Sequence, residues 1–348
     1  MKQTFGKYLI GAAFTLCLMA AGCSSPEEQP LPSVILETDI GNYIDDVVAL
    51  DMLYKYVDDS QITLAAECVN TDSPYAAAFL HLTNHWYGYP DIPIGQARQG
   101  ISSNFDAPNY AETVCQMTND QGLPLFQRPN FQSDSIPDAV ALYRKTLAAQ
   151  PDSSVILVSV GFSVNLINLL RSEADSISAL TGKELIRQKV RLLSMMAGSF
   201  GAYPIAEYNV VKDIPSAQAI AREWPSPIVY TPFEVGAQVK YQATTVEQGL
   251  LWASHHPLKE AYEHYQAMPY DCEIWDAIAT LYAVEPSPSY FTLSSWGDVH
   301  VDDEGYTTFT PRTGGLRAYL SMTAEQASAA LYRINQLTTR PAKRRDLR

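Results

Sequence analysis

Residues 36–50 of the chain read LETDIGNYIDDVVAL. The apolar, β-prone run Val34–Leu36 leads into three aspartates (Asp39, Asp45 and Asp46), and the helical run Val47–Leu50 follows them. The unit is therefore strand, polar loop and helix, with its carboxylates in the loop and the first helical turn. Three carboxylates so close together cannot all stay charged in a half-buried place unless a cation or hydrogen-bond donors compensate them. A site built of oxygens alone suits a hard cation, calcium or magnesium. The residues by themselves leave a second reading open, in which Asp45 and Asp46 favour the positive end of a helix and Asp39 caps a turn. The spacing is not that of an EF-hand, and the Asp-x-Asp-Gly-Thr form of a phosphatase loop is missing.

Outward from this stretch the same unit recurs. Helices are predicted over about Ile44–Val57, Pro74–Tyr87, Val164–Arg171 and Ile214–Trp224. Strands are predicted over Ser33–Thr38, Gln61–Val69, Asp91–Gly95, Ser154–Val160, Val190–Met196 and Pro227–Thr231. These strands are apolar without alternation, as in a parallel sheet covered on both faces. Tyr290–Pro311 alternates instead and reads as an antiparallel hairpin turning at Asp303–Gly305. The expected fold is α/β: an open, mostly parallel sheet flanked by helices on both faces, with an antiparallel hairpin near the C-terminus. Ligands of such sheets bind beyond the carboxyl ends of the strands, where Asp39, Asn70 and Gly198 fall.

The N-terminus makes a separate statement. Lys2 and Lys7 precede an apolar run, Tyr8–Ala21, too short to span a bilayer, and small residues lead to Cys23. This is a secretory signal over 1–22, and the cysteine after it resembles a bacterial lipobox, with Ala20 where leucine is more common. The resemblance implies lipidation of Cys23 and a lipid-anchored place in the bacterial cell envelope, periplasmic or surface-exposed. Residues 23–32 then form a polar tether, 33–339 one domain, and 340–348 a basic tail expected to fray. Cys68, Cys115 and Cys272 remain, too few and too widely spaced for a disulfide framework or a zinc site. Residues 23–339 carry 17 basic against 37 acidic side chains. A body that acidic repels phosphate backbones, which excludes nucleic acid as a partner and leaves the lipid anchor as the membrane contact.

Further segments carry a second resemblance. Thr38-Asp39-Ile40-Gly41 with Asp45-Asp46, Val69-Asn70, Gly161 with Asn165-Leu166, Met196-Ala197-Gly198, Ala206-Glu207-Tyr208-Asn209 with Asp213 and Ala217, and Trp275-Asp276 through Pro286 lie in that order along the chain. Together they resemble the motifs of the inosine-uridine-preferring nucleoside hydrolases. Glu37 stands where that family has its first aspartate, and the loop between Gly41 and Asp45 is two residues longer.

The resemblance implies calcium-dependent hydrolysis of the N-glycosidic bond of a ribonucleoside or related N-riboside. It implies a calcium ion held by Asp39, Asp46, Asp276 and the main-chain carbonyl of Val164, with Asp39 also the general base. Asp45 would hold the ribose 2′- and 3′-hydroxyls, and Asn70, Glu207 and Asn209 the rest of the sugar. Homo-oligomers occur in the family, though no residue here decides the state. The chain departs from the family at Trp275, where many members have a histidine that protonates the leaving base. Trp275 is expected to stack on the base or to pack in the core, and His255, His256 and His264 to lie on a polar helix at the surface. A lipid-anchored, calcium-containing nucleoside or ribose binding protein without turnover is the alternative.

Overall fold

Alternation along the first strand, β1 (Ser33–Thr38), builds both layers of the molecule: Val34 and Leu36 face one apolar core and Ile35 the other. The computed structural model describes Met1 and residues 31–103, 109–129 and 131–343. The signal segment, Cys23 and most of the tether lie outside the described residues, as does the tail beyond 343. No helix among the described residues is long and apolar enough to cross a membrane.

Beside β1 lie β2 (Thr63–Thr71) and β3 (Ile94–Ile101) on one side, and β4 (Val155–Ser159), β5 (Val190–Met196) and β6 (Ile228–Thr231) on the other. Two-residue strands β7 (Lys240–Tyr241) and β8 (Cys272–Glu273) pair apart from this sheet. The last strands are β9 (Thr292–Leu293), β10 (Gly297–Val301), β11 (Thr307–Pro311) and β12 (Arg317–Ser321), giving the order β11-β10-β12-β6-β5-β4-β1-β2-β3 with β9 on β12. Neighbours from β3 to β12 run parallel, and β9, β10 and β11 pair antiparallel.

Helices α1 (Asp45–Asp58), α2 (Ala76–Tyr87), α3 (Tyr110–Gln116), α11 (Pro257–Tyr265), α12 (Trp275–Val284) and α13 (Ala324–Thr338) share the core of Val34 and Leu36. Helices α4 (Ala139–Ala149), α5 (Val164–Leu170), α6 (Gly182–Lys189) and α8 (Ile214–Glu223) share that of Ile35. Short helices α7 (Tyr208–Lys212), α9 (Phe233–Gly236) and α10 (Ala243–Gly249) complete the chain.

The expected α/β architecture is present, with local differences. The strand expected at Asp91–Gly95 starts later and runs to Ile101, because Pro93 stands at its entry. The hairpin is confined to β10 and β11, while Thr292 and Leu293 pair with β12. Strand β12 begins with an arginine rather than an apolar run, and that arginine explains it. The Arg317 guanidinium is buried and donates to the carbonyls of Ile220, Ala221 and Trp224, so it caps the end of α8 from within the sheet. Arg340 and Lys343 pair with Asp59 and bond the carbonyls of Lys55 and Asp58, so the start of the tail is pinned to α1 rather than frayed. The three cysteines of the body are free and buried.

Glu67 on β2 shows how a carboxyl can sit in this core. It is fully buried, accepts from Asn84 Nδ2 at 2.7 Å, and lies 3.3 Å from the Tyr54 hydroxyl. That hydroxyl has one proton, and Asn84 Oδ1 at 2.7 Å takes it. The Glu67 contact therefore wants the carboxyl protonated, and burial holds its pKa up at about 8 despite Asn84 and Tyr54. A folded-state pKa above the unfolded value means stability is complete below about pH 4.5 and is lost as pH rises towards 8. Glu67→Gln, a neutral isostere, should match the parent near pH 4.5 and exceed it by roughly 4 kcal/mol near pH 8. Urea denaturation at the two pH values checks this; equal losses of stability in both proteins over that range would contradict it.

Candidate active site

At the carboxyl ends of β1, β4 and β5 opens a cavity of about 280 Å³. Three helix starts supply most of its polar lining: Asp45 and Asp46 open α1, Asp276 follows Trp275 at the start of α12, and Glu207 caps α7. These N-termini meet at one place, where backbone N–H groups and the helix dipole favour carboxylates; α1 follows a strand of the parallel sheet, whereas α12 follows β8 outside it. One such contact crosses between helices: the Asp276 backbone N–H donates to Asp45 Oδ2 at 2.9 Å.

Buried carboxylate oxygens of Asp45, Asp46 and Asp276 come within 4.8 Å of one another. The resemblance named Asp39 with Asp46 and Asp276 as ligands; the tight cluster takes in Asp45 beside the latter two. Asp39 lines the same cavity, accepting from Asn42 Nδ2 at 2.8 Å. The Thr38 hydroxyl donates to Asp46 Oδ1. Burial is the leading cause of raised pKa values throughout. Asp39 stands at about 6, although Asn42 and Lys212 pull it down. Asp45 stands at about 7 although the Asp276 N–H pulls it down, and Asp46 and Asp276 stand well above the carboxylate range, pushed further by their neighbours. Such a group of acids is poorly compensated by the protein itself, and its all-oxygen donor set fits a hard divalent cation.

Asn70, at the end of β2, is fully buried; neither side-chain atom makes a well-formed hydrogen bond, although its amide lies close enough to Glu37 to help hold that carboxyl down. It does not line the cavity but lies behind Asp39: a Cβ on Gly161 would lie 2.7 Å from Asn70 Nδ2 and from Asp39 N and Oδ1. Only glycine lets β4 close on both residues. Val164 begins α5 just beyond and does not line the cavity.

Glu207 and Asn209 line the cavity and also serve the fold. Glu207 accepts from the backbone N–H groups of Asn209, Val210 and Gly198, while burial holds its pKa at about 7. Asn209 Nδ2 donates to the carbonyls of Val160 and Met196, tying β4 to β5. Glu37, in place of the family's first aspartate, is buried under the site and bonded by Tyr143 and Asn165. Burial raises it to about 8.

Trp275 is half-buried and lines the cavity. Its Nε1–H donates to the Phe233 carbonyl at 2.8 Å, its ring stacks on Phe233, and a Cβ on Gly236 would meet it at 2.2 Å. It is thus packed on one side and presented to the cavity on the other. Among the described residues, none of the six histidines lines the cavity. His255 is half-exposed and pairs with Glu260, and His264 bonds the Glu260 carbonyl. His256 corrects the surface expectation: it is fully buried, caps α11 and lies 3.7 Å from Asp51, because α11 packs against α1.

Tyr43, Tyr110, Phe233 and Tyr265 are not legible as site residues along the chain. Tyr110 receives the Gly41 N–H on its hydroxyl and donates to the Tyr43 carbonyl, bracing the aspartate loop from α3. The longer loop after Gly41, itself at φ 108°, was the available signal: extra residues there need a brace and add Tyr43 to the wall.

A parallel sheet with carboxylates gathered at its carboxyl ends defines a hydrolase-type, metal-compatible site, and the comparisons agree. The model of the inosine-uridine preferring nucleoside hydrolases matches residues 34–332, and the chain belongs to that family. It is accordingly an N-ribosyl hydrolase of a metal-dependent family. Solved structures share the fold. A plant nucleoside hydrolase is 19% identical with a TM-score of 0.65, covering 90% of this chain and 100% of that one. A purine-preferring ribonucleoside hydrolase from Gardnerella vaginalis is 14% identical with a TM-score of 0.64, covering 88% and 99%. An inosine-uridine preferring nucleoside hydrolase from Bacillus anthracis is 15% identical with a TM-score of 0.59, covering 88% and 100%. A search of curated proteins returned no significant match.

Proposed function

We propose that the protein hydrolyses the N-glycosidic bond of a ribonucleoside or related N-riboside with calcium in the acidic floor of its cavity. The observation carrying this reading is the buried cluster of Asp45, Asp46 and Asp276 carboxylates beside Asp39. Asp39, Asp46 and Asp276 would hold the cation with the Val164 carbonyl, and the Asp45 oxygen not engaged by Asp276 would bind the ribose 2′- and 3′-hydroxyls. A bound calcium ion supplies positive charge that acidifies water and fixes sugar hydroxyls. Asp39 takes the proton of the attacking water as general base. Asn70, behind Asp39, would reach a sugar hydroxyl through its amide, and Glu207 and Asn209 border the sugar. The transition state has cation-like ribose character, which surrounding carboxylates favour.

The test is a screen of the purified protein with calcium against purine and pyrimidine nucleosides and 4-nitrophenyl riboside, scored by free ribose. Release from at least one is expected. Binding without any release would instead assign a capture protein.

Anchoring through Cys23 in the cell envelope is a second proposal and rests on the N-terminal sequence. Palmitate labelling that is lost in Cys23→Ala is the expected result; labelling that persists would refute it.

A further inference from the structure

At its first turn, α11 is fastened to α1 and α2 by a fully buried histidine that the reaction does not use. His256 is the N-cap of α11, and its Nδ1 accepts from the Leu258 backbone N–H at 3.2 Å. An accepting Nδ1 carries no proton, so the neutral ring holds its proton on Nε2. That nitrogen lies 3.5 Å from the Tyr87 hydroxyl and 3.7 Å from Asp51 Oδ1. Tyr87 gives its one hydroxyl proton to Asp51, which leaves the Tyr87 oxygen to accept from Nε2–H.

Trp86 and Trp252 pack on the imidazole, with centroids at 4.6 and 5.1 Å. Among the described residues, the charged groups facing it are Asp51 and Lys55, both buried on α1. The Lys55 ammonium lies over the rings of Tyr87 and Trp252 and donates to the Arg340 carbonyl. Arg340 and Asp58 act on Asp51 from further out, the Tyr241 hydroxyl on β7 goes to Thr338, and on α11 itself Glu260 is taken by His255.

The other end of α11 reaches the site. Tyr265, its last residue, lines the cavity and meets Tyr43 and Tyr110 edge to face, at 5.3 and 6.2 Å. Tyr110 braces Gly41 and Tyr43, which lie between Asp39 and Asp45. The seating of α11 therefore bears on the loop that carries these aspartates.

We propose that His256 is a positioning residue and works as an acid-sensitive latch. Neutral, it caps α11 and ties that helix to α1 and α2. Protonation puts a second ring proton on Nδ1, against the Leu258 N–H. The cap is then lost, the first turn of α11 loosens, and Tyr265 and Tyr110 hold the aspartate loop less firmly. The kinetic arm of the test rests on the hydrolase reading above; the optical arm does not.

Two variants separate the ring nitrogens. Asparagine puts an oxygen near the place of Nδ1 and is a preferred N-cap, so His256→Asn keeps the cap and cannot be protonated. His256→Gln reaches towards the Nε2 contacts and gives up the cap. The full protein with saturating calcium is followed from about pH 8 to about pH 5, across the imidazole range. The readouts are tryptophan fluorescence and cleavage of 4-nitrophenyl riboside. As pH falls, the imidazolium against Trp86 and Trp252 should quench the parent's fluorescence, and KM should rise roughly fivefold, the equivalent of one helix cap. His256→Asn should show neither change, and His256→Gln should have the raised KM already at the alkaline end. Unchanging fluorescence in the parent overturns the latch. The same quench in His256→Asn also overturns it and assigns the titration to Asp51. So does a KM that rises equally in the parent and His256→Asn. Should the riboside not be cleaved at all, the hydrolase reading falls, and the fluorescence still decides the latch.

Discussion

Asp46→Asn is expected to abolish calcium uptake and, in chelator, to leave the protein at least as stable as the parent. The two effects have opposite signs because one buried carboxylate does two things. Without a cation its charge is disfavoured by burial and by Asp39 and Asp45, so a neutral amide relieves the folded state. Asparagine keeps the oxygen that accepts from Thr38, so packing is preserved. With calcium at one hundred times its dissociation constant, the parent gains about 2.7 kcal/mol, worth several degrees of melting temperature, and the variant should gain almost none. Thermal melts with and without calcium, with elemental analysis, measure both. Stoichiometric calcium retained by Asp46→Asn would refute the site.

Asp39→Asn should lower kcat by about 10³-fold, some 4 kcal/mol of activation free energy. An amide cannot take the proton of the attacking water. The carboxylate is placed for that role by Asn42, whose amide donates to Oδ2 and leaves Oδ1 beside Asn70 and Gly161. The activated 4-nitrophenyl riboside is the substrate to use, since its departure needs no acid and isolates the water-activating step. A kcat within tenfold of the parent at saturating calcium would place the base elsewhere.

Much of this molecule can be read along the chain. The apolar runs of β1, β4, β5 and β6 are buried on both faces and so lack alternation, and Val190–Met196 appears with the bounds expected of it. Asp39, Asp45, Asp46 and Asp276 stand where strand ends and helix starts put them, because dipole and N–H groups make those positions hospitable to carboxylates. Other elements carry local signals of their own. Thr323 and Gln326 form a capping box at the start of α13, and Asp138 caps α4. Strand β12 had none, since the burial of Arg317 depends on carbonyls from α8, nearly a hundred residues earlier.

By itself, then, the sequence determined the α/β layering and the acidic floor, because periodicity and helix-start chemistry are local. Only the tertiary structure decided which groups meet there. Asp45 joins Asp46 and Asp276 because α1 packs beside α12, and Asn70 comes close to Asp39 because Gly161 lets the end of β4 approach both. The aromatic wall gathers Tyr43, Phe233, Tyr265 and Trp275 from four separate segments, and His256 is drawn into the core by packing against α1. Contacts of that kind come from the closing of long loops, and no local pattern of residues encodes them.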